Sequence, residues 1–422
     1  MRVNWTIFLL LPSVLLPALV TGQEFLYRLV YLLLAIIVLA FLWAWYNSRG
    51  MVVERWLRSS RAQVGGLAVE RIVARNPGRW PKLWIEIRDH STLSEHQVGR
   101  LLPSMPAGRE LSWTVKTLCH RRGEFALGPI TLVASDPLGL FQMSRPLPGA
   151  SSLIVYPMTV PLSGFTPPGG QLSGGDAIRR RTQEITTNVA SVRDYLPGDS
   201  FNRLHWPSIA RTGRLISKEF ELDPTADVWL LLDMEARVHF SAPEEAPVVE
   251  EFPLLRAPRP WQVAPTTEEY GVTIAASLAK HFLAQKKALG MVTYGQRREM
   301  VQVDRGERQL SKVLQALAVI RAQGQVPLAE VIAAEGSGMG RGAMAIVITP
   351  STEEGWVAAL RELRRRGVSA VVIHIEPSTF AEAPSSLGIV TLLAAGGFPT
   401  YLVKRDQPLE EALSQKIYEG RR

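Results

Sequence analysis

An unbroken run of 18 uncharged residues near the N-terminus is the feature that most limits what this chain can be. The run extends from Leu29 to Tyr46, and most of its side chains are aliphatic. As a helix rising about 1.5 Å per residue it measures roughly 27 Å, close to the hydrocarbon thickness of a bilayer. Trp43 and Trp45 lie at its end, which is typical of a helix that reaches the membrane interface. The sequence therefore predicts a membrane-spanning helix here.

A second apolar run precedes this segment. It extends from Val3 to Val20 and contains Pro12 and Pro17. Membrane helices tolerate proline, so the run fits a kinked first span. A cleaved signal peptide is the alternative, but no small-residue A-x-A site follows the run. We therefore expect residues 1–46 to form a hairpin of two transmembrane helices.

The charges that flank the two runs predict their orientation. The loop between the runs has one acidic and one basic residue, whereas the chain after the second run is rich in arginine. The charged residues that follow the second run are Arg49, Glu54, Arg55, Arg58 and Arg61. Because arginine resists translocation, we expect residues 47–422 to face the cytoplasm in a multi-pass protein of the cell membrane.

The composition of the remaining chain excludes several classes of site. One cysteine among 422 residues rules out a disulfide framework and a cysteine-built zinc or iron–sulfur site. The seven histidines include no pair at the spacing of a metal-binding HExxH motif. The net charge of +8 is partly juxtamembrane, and no aromatic-plus-basic motif accompanies it. We therefore expect no nucleic-acid partner.

Residues 62–160 have the pattern of a β domain. Short runs rich in β-branched or alternating residues are separated by turn signals such as Asn76-Pro77-Gly78. The runs are Val69–Ala74, Lys82–Arg88, Leu111–Leu118, Gly123–Leu127 and Ile130–Ala134. This spacing predicts a small antiparallel β-sandwich.

Residues 161–222 combine a Gly/Pro/Ser-rich linker with a segment dense in Arg, Asp, Tyr and Trp, and two interpretations of that segment stay open. In the first, its charged residues form a docking surface for a partner. In the second, which the mixed charges favour, Arg193, Asp199 and Arg203 pair with one another. Trp206 then fills the junction between two domains. The candidate interaction residues are Arg193, Tyr195, Gly198, Asp199, Arg203, Trp206 and Arg211.

In residues 223–422 strands alternate with helices. Such alternation predicts right-handed crossovers and a doubly wound parallel sheet. The predicted strands are Val228–Leu232, Gly290–Tyr294, Ala343–Ile348, Val368–Ile375 and Ile389–Leu393. The predicted helices are Thr267–Leu289, Glu307–Ala322, Glu353–Arg366 and Pro408–Tyr418. The predicted fold class is thus a transmembrane hairpin, a β-sandwich and an α/β domain.

Two stretches of the chain resemble a known bacterial family. The first combines residues 121–125, RRGEF, with residues 136–141, DPLGLF. The second is residues 192–199, VRDYLPGD, and it continues to residues 218–221, KEFE. In this order, behind paired apolar runs, they resemble the family catalogued as domain of unknown function 58. The resemblance implies a membrane-anchored β-sandwich followed by a von Willebrand factor A-like domain, and a MoxR-type AAA+ ATPase as partner.

The von Willebrand factor A-like domain that the resemblance implies often holds Mg²⁺ through an Asp-x-Ser-x-Ser sequence after its first strand. Here that stretch has Asp233, but Glu235 and Arg237 replace the two serines. Mg²⁺ prefers oxygen ligands, and the permanently charged guanidinium of Arg237 repels it. We therefore expect a degenerate site without metal or other cofactor, in which Arg237 neutralises Asp233 or Glu235. The loop that follows adds Glu244, Glu245, Glu250 and Glu251.

These observations lead to one expected function and one alternative. We expect no catalytic residues, because the chain has no nucleophile elbow, no paired catalytic carboxylates and no histidine in a triad setting. It also has no Walker motif, so nucleotide-driven work belongs to another chain. The family resemblance implies a non-enzymatic interaction protein that works with the MoxR-type ATPase to assemble or remodel complexes. The alternative is a Mg²⁺-dependent ligand-binding module.

Overall fold

A computed structural model describes most of the chain. The chain divides into two compact units, Met1–Met158 and Thr159–Arg422, and each has a hydrophobic core of its own. The described residues are 2–165, 189–195, 204–220, 227–243 and 263–418.

Two helices open the first unit. Helix α1, Thr6–Thr21, ends at Gly22, whose φ of 68° is left-handed and whose N–H donates to the Ala18 carbonyl. Helix α2, Glu24–Ser48, contains the whole uncharged run and packs against α1. Among the described residues, α2 alone is long and apolar enough to cross a membrane. The prediction that the run Val3–Val20 forms a full first span is therefore not matched. Helix α1 has only 16 residues, and Arg2–Val3 form a short strand, β1.

The remainder of the first unit consists of β-strands. They form three sheets, in the orders β1-β10-β9-β5-β6, β2-β4-β7 and β3-β11-β8. The pairings are antiparallel apart from that of β3 with β11. The strands after β1 are β2 Val52–Leu57, β3 Arg61–Gln63, β4 Leu67–Arg75, β5 Lys82–Asp89, β6 Arg100–Met105, β7 Glu110–Leu118, β8 Gly123–Leu127, β9 Ile130–Ser135, β10 Phe141–Leu147 and β11 Ser151–Tyr156.

The five predicted runs of this region are confirmed as β4, β5, β7, β8 and β9. Strand β2 was missed, because its arginines had the pattern of a juxtamembrane segment. Arg55 in fact lies buried between sheets, with Nη2 2.5 Å from Asp89 Oδ1 and Nε 3.3 Å from Glu70 Oε2. His96 Nε2 lies 3.0 Å from the other oxygen of Glu70. A buried polar network, and not only apolar contact, therefore joins these sheets.

A short strand pair follows the first unit. Strand β12, Val189–Asp194, pairs antiparallel with β13, Ile216–Phe220. Helix α3, Trp206–Thr212, lies between them in the chain. This pair and its helix form the described part of the segment that contains the second family motif.

A six-stranded sheet organises the rest of the second unit, in the order β16-β15-β14-β17-β18-β19. Its pairings are parallel except that of edge strand β16 with β15. The strands are β14 Val228–Leu232, β15 Leu289–Tyr294, β16 Arg298–Asp304, β17 Met344–Thr349, β18 Ser369–Ile375 and β19 Thr400–Val403. The helices are α4 Thr267–Ala284, α5 Glu307–Val319, α6 Leu328–Gly336, α7 Gly355–Arg365, α8 Leu387–Ala395 and α9 Leu409–Ala412. Apolar cores cover both faces of the sheet.

One predicted element of this sheet was wrong. Ile389–Leu393 was predicted as a strand, but it lies inside helix α8. A short apolar run does not distinguish a strand from a buried helix, and the parallel pair β18 and β19 needs a crossover that α8 supplies. Strand β14 is buried along its whole length, as its continuous apolar run predicted.

Candidate functional site

The candidate site lies at the carboxyl ends of β14 and β17. These strands are neighbours, with Leu232 paired to Ile348, and the strand order reverses between them. In open α/β sheets, ligands bind in the crevice outside the strand ends at such a switch point. Asp233 follows β14 directly and Thr349 ends β17, so the sheet places both side chains at this position.

The Thr349 side chain forms a hydrogen bond with one oxygen of the Asp233 carboxylate. Its hydroxyl donates to Asp233 Oδ2 at 2.6 Å, and the Glu235 N–H donates to Oδ1 at 3.1 Å. The same Thr349 hydroxyl accepts a hydrogen bond from the Ser351 N–H at 2.9 Å.

The environment of Asp233 raises the pKa of its carboxyl group. Burial raises its pKa from 3.8 to about 6, because a carboxylate is poorly solvated there. The hydrogen bonds from Thr349 and from the Glu235 N–H act against this rise. The nearby carboxylates of Glu235 and Glu353 raise the pKa further. Near neutral pH, this group is therefore a buried carboxylate that is readily protonated.

Glu235 and Arg237 form an ion pair beside Asp233. We refer to the segment from Asp233 to Arg237 as the rim. Arg237 Nε donates to Glu235 Oε1 at 2.8 Å, and a second guanidinium nitrogen contacts the same oxygen. Glu235 is buried, whereas the Arg237 side chain is 70% exposed. The prediction that Arg237 neutralises a neighbouring carboxylate holds for Glu235. The rim thus presents a positive group to solvent over a buried negative one.

A close approach of backbone segments holds the rim in place. The Gly324 N–H donates to the Met234 carbonyl, and the Ala236 N–H donates to the Gly324 carbonyl, both at 2.9 Å. A Cβ at Gly324 would lie 2.0 Å from the Tyr294 carbonyl oxygen, so only glycine fits. His239 Nε2 lies 3.0 Å from the carbonyl oxygen of Asp233. Sequence reasoning missed Gly324, because its role depends on strands that are distant in the chain.

The rim does not fit a magnesium ion. One Asp233 oxygen accepts a hydrogen bond from the Thr349 hydroxyl, and the buried Glu235 carboxylate is paired with the guanidinium of Arg237, which repels a cation. Across the described parts of the chain, no group of three or more His, Cys, Asp or Glu side chains is placed to hold a metal. The acidic loop residues Glu244, Glu245, Glu250 and Glu251 lie outside the described residues.

The predicted motif residues are only partly described. Arg193 lies in β12, opposite Ser217 of β13, and the Tyr195 N–H donates to the Leu215 carbonyl at 2.9 Å. Arg211 lies in the last turn of α3 and is exposed. The residues outside the described ranges are Gly198, Asp199 and Arg203, so the pairing predicted for Arg193, Asp199 and Arg203 stays a prediction.

Trp206 is exposed over 64% of its surface at the start of α3. The interpretation that it fills a junction between domains stays a prediction, because segments next to α3 in the chain lie outside the described residues. Leu215, close to the start of β13, is also exposed. These two side chains favour the docking interpretation of the segment.

A serine–histidine pair lies near the end of strand β18. It was not predicted from the sequence. His374, in β18, has Nε2 2.6 Å from Ser386 Oγ, and the Ser386 N–H donates to Glu376 Oε1 at 3.1 Å. Both His374 and Ser386 are fully buried, and burial lowers the His374 pKa to about 4. His374 Nδ1 has no hydrogen-bond partner among the described residues, so no carboxylate orients the imidazole. Both side chains of the pair are thus enclosed by the described part of the second unit.

Comparisons with known proteins match both the site and its flanking segment. The family model described as "Protein of unknown function DUF58" matches residues 191–248, which include Arg193, Trp206 and the Asp233 rim. The "Uncharacterized protein YeaD" of Bacillus subtilis (strain 168) is 23% identical over 306 residues, or 71% of this chain and 70% of that protein.

Similar solved structures cover smaller parts of the chain. The conserved hypothetical protein BatB from Bacteroides thetaiotaomicron is 16% identical, with a TM-score of 0.32, over 45% of this chain and 96% of that one. The CARDB domain of the PF1109 protein from Pyrococcus furiosus is 13% identical, with a TM-score of 0.19, over 25% of this chain and 86% of that one.

Proposed function

Because the chain is a DUF58 family protein, we propose that it is a membrane-anchored, non-enzymatic interaction protein that binds a MoxR-type AAA+ ATPase. The ATPase supplies nucleotide hydrolysis, and this chain fixes the assembly to the membrane while other complexes are built or remodelled. The observation that carries the proposal is the exposed guanidinium of Arg237, which buried Glu235 holds at the switch point of the sheet.

The architecture supports a von Willebrand factor A-like assignment for the second unit. Counted along the chain from β14, the sheet has the order 3-2-1-4-5-6 of doubly wound folds, with an antiparallel edge strand. A partner of such a fold binds at the carboxyl ends of strands 1 and 4, where Asp233 and Thr349 lie. The rim is therefore the surface at which we place the partner.

A metal-independent contact is the form of binding that the rim supports. The Thr349 hydroxyl and the Glu235 N–H already satisfy the Asp233 carboxylate. Arg237 presents several donors to a carboxylate of a partner, and such charge-assisted contacts are geometrically specific. The second candidate, a Mg²⁺-dependent ligand module, would need Thr349 and Arg237 to leave these positions.

Membrane attachment rests on α2. We place α1 and α2 in the bilayer as a hairpin, with residues 47–422 in the cytoplasm, because Arg49, Arg58 and Arg61 follow the second helix. Arg55 adds nothing to this bias, since its charge is buried against Glu70 and Asp89. The many exposed apolar side chains of α2 are those expected of a helix surrounded by lipid.

Binding of the full-length chain in lipid nanodiscs to the purified MoxR-type ATPase of the same genome tests the proposal. We expect Arg237→Gln to weaken binding at least tenfold at a temperature at which the variant remains folded, although the loss of the Glu235 partner lowers its thermal stability. Arg88→Gln is the matched control, because Arg88 is another surface arginine paired with a glutamate two residues away, Glu86. Absence of binding by the unaltered chain, or equal binding by both variants, contradicts the proposal.

A further inference from the structure

We propose that the turn Asp136–Phe141, between β9 and β10, enters the headgroup boundary of a phospholipid bilayer beside α2, with Leu138 in contact with lipid. This inference rests on the proposed anchoring of the chain by α2. It assigns a role to residues 136–141, the DPLGLF half of the first family motif, which the partner-binding rim does not use.

The turn packs directly against the C-terminal half of α2, which we define as Ile36–Ser48. Leu140 and Phe141 share an apolar cluster with Ala40 and Ala44. The ring of Phe141 meets the ring of Phe41 edge to face, with 5.6 Å between centroids. Small residues on α2 therefore allow the turn to lie close against the helix.

The length of the helices places this contact at the edge of the bilayer. A hydrocarbon core of about 30 Å takes up about 20 helical residues, which from Glu24 extends to about Ala44. If the shorter α1 sets the depth instead, its 16 residues correspond to about 24 Å, and the boundary lies near Ala40. Both limits fall within the stretch of α2 that the turn contacts.

Several backbone groups of the turn are paired by hydrogen bonds, which favours its entry into a region with little water. The Asp136 carboxylate accepts from the Leu138 N–H at 2.8 Å and from the Phe141 N–H at 2.6 Å. The Gly139 N–H donates to the Asp136 carbonyl at 3.1 Å, and the Asn4 N–H donates to the Leu140 carbonyl at 2.9 Å. Because unsatisfied backbone groups are costly in lipid, these hydrogen bonds suit the boundary of a bilayer.

The tip of the turn is apolar and exposed. Leu138 is 61% exposed, and no residue from 137 to 141 carries a charge. Trp5, next to the Asn4 that bonds the turn, is 72% exposed. The exposed apolar side chains of α2 and of the turn thus belong to segments that pack against each other, and lipid is the occupant expected around α2.

Spin labels in the full-length chain, reconstituted in phosphatidylcholine–phosphatidylglycerol nanodiscs, test this inference. The native Cys119 is buried and its pKa is raised by burial, so a new surface cysteine is labelled selectively. We compare Leu138→Cys with Leu34→Cys on α2 as the lipid reference. Leu67→Cys is the aqueous control: Leu67 is 58% exposed, and it lies eight steps, roughly 27 Å, along β4 from the end nearest α2.

We expect the label at position 138 to collide more with oxygen than with a water-soluble nickel chelate, as at position 34, and the opposite at position 67. If position 138 behaves like position 67 while position 34 is in lipid, the inference is wrong and the anchor stands. A label at 138 that is immobile and reached by neither reagent indicates a protein contact and also overturns it. If position 34 is itself in water, the proposed anchoring fails.

Discussion

At the scale of single residues, Asp233 shows how the fold changes the chemistry of a side chain. The sheet buries its carboxylate at the end of β14, and the Thr349 hydroxyl donates a hydrogen bond to its Oδ2. Burial and the carboxylates of Glu235 and Glu353 then raise the pKa of Asp233. In the fold, the carboxylate of this residue accepts hydrogen bonds from the Thr349 hydroxyl and from the Glu235 N–H.

The raised pKa of Asp233 makes stability depend on pH. The folded chain holds this proton more tightly than the unfolded chain, so the contribution is complete below pH 3.8 and is lost as the pH rises through about 6. At about 1.4 kcal/mol per pH unit, its full size is on the order of 3 kcal/mol. We expect Asp233→Asn to gain stability relative to the unaltered chain as the pH rises from 4.5 to 7.5.

Thermal unfolding of the full-length chain in detergent across this pH range measures the effect. The control is Asp304→Asn, because Asp304 is an exposed aspartate of edge strand β16. The difference between the Asp233→Asn variant and the unaltered chain should change with pH, and the difference for Asp304→Asn should not. A pH-independent difference for Asp233→Asn contradicts this description of the site.

In the first unit, Arg55 is the buried charged residue whose partners determine its effect on stability. Its guanidinium lies between the carboxylates of Glu70 and Asp89, and all three side chains are buried. Removal of one partner leaves the other charges unpaired, so we expect Arg55→Ala to lower the unfolding free energy by about 3–5 kcal/mol. Arg58→Ala, at an exposed position of the same segment, should change it by less than about 0.5 kcal/mol. Equal unfolding transitions for the two variants would contradict a buried network.

At the scale of elements, α3 is the part of the family segment that faces solvent. Trp206 opens this helix and is exposed, and Leu215 beyond its end is exposed as well. An exposed indole contributes little to folding, but tryptophan is enriched among residues that dominate binding energy at interfaces. The helix therefore has the composition of a contact surface.

We expect Trp206→Ala to leave the melting temperature unchanged and to weaken binding of the MoxR-type ATPase. Trp356→Ala is the contrasting variant, because Trp356 is fully buried in the core and its loss should cost about 3–5 kcal/mol. Calorimetric melting and ATPase binding of the same preparations separate the two effects. A large drop in melting temperature for Trp206→Ala would support the buried-junction interpretation.

The sequence predicted the elements whose pattern is local. Alternating runs were enough for β4, β5 and β9, and the continuous apolar run was enough for β14. The Ile389–Leu393 run was misassigned, since its local composition fits both a strand and a helix. What decides between them is the crossover that joins two parallel strands, which is a property of the sheet.

The candidate site was predictable only where it depends on residue type. Asp233, Glu235 and Arg237 were found because their spacing follows a predicted strand, and the pairing of Arg237 with Glu235 follows from their charges. The Thr349 hydrogen bond, the Gly324 approach and the exposure of Trp206 depend on distant segments, so no local pattern indicates them.

At the scale of the whole molecule, the proposed apolar anchor and the proposed polar recognition surface lie in different parts of the chain. Helix α2 is long and apolar enough to cross a bilayer, and the Asp233 rim belongs to a separate compact unit. The first unit contains α2, and the second unit contains the rim.

This arrangement predicts the side of the membrane on which the C-terminus lies. We expect a reporter fused after Arg422 to be active only in its cytoplasmic form, because the arginines after α2 resist translocation. Paired fusions to a cytoplasmic and a periplasmic reporter measure this directly. Activity of the periplasmic fusion would contradict the orientation.

We propose that the rim binds a partner through its own charged groups and not through a metal. Calorimetric titration of the full-length chain in nanodiscs with Mg²⁺ and then Mn²⁺ tests it most directly. We predict no stoichiometric binding, and the same weak heats for the unaltered chain and for Asp233→Ala. One-to-one binding at micromolar affinity that Asp233→Ala abolishes would contradict the account and support the metal-dependent module.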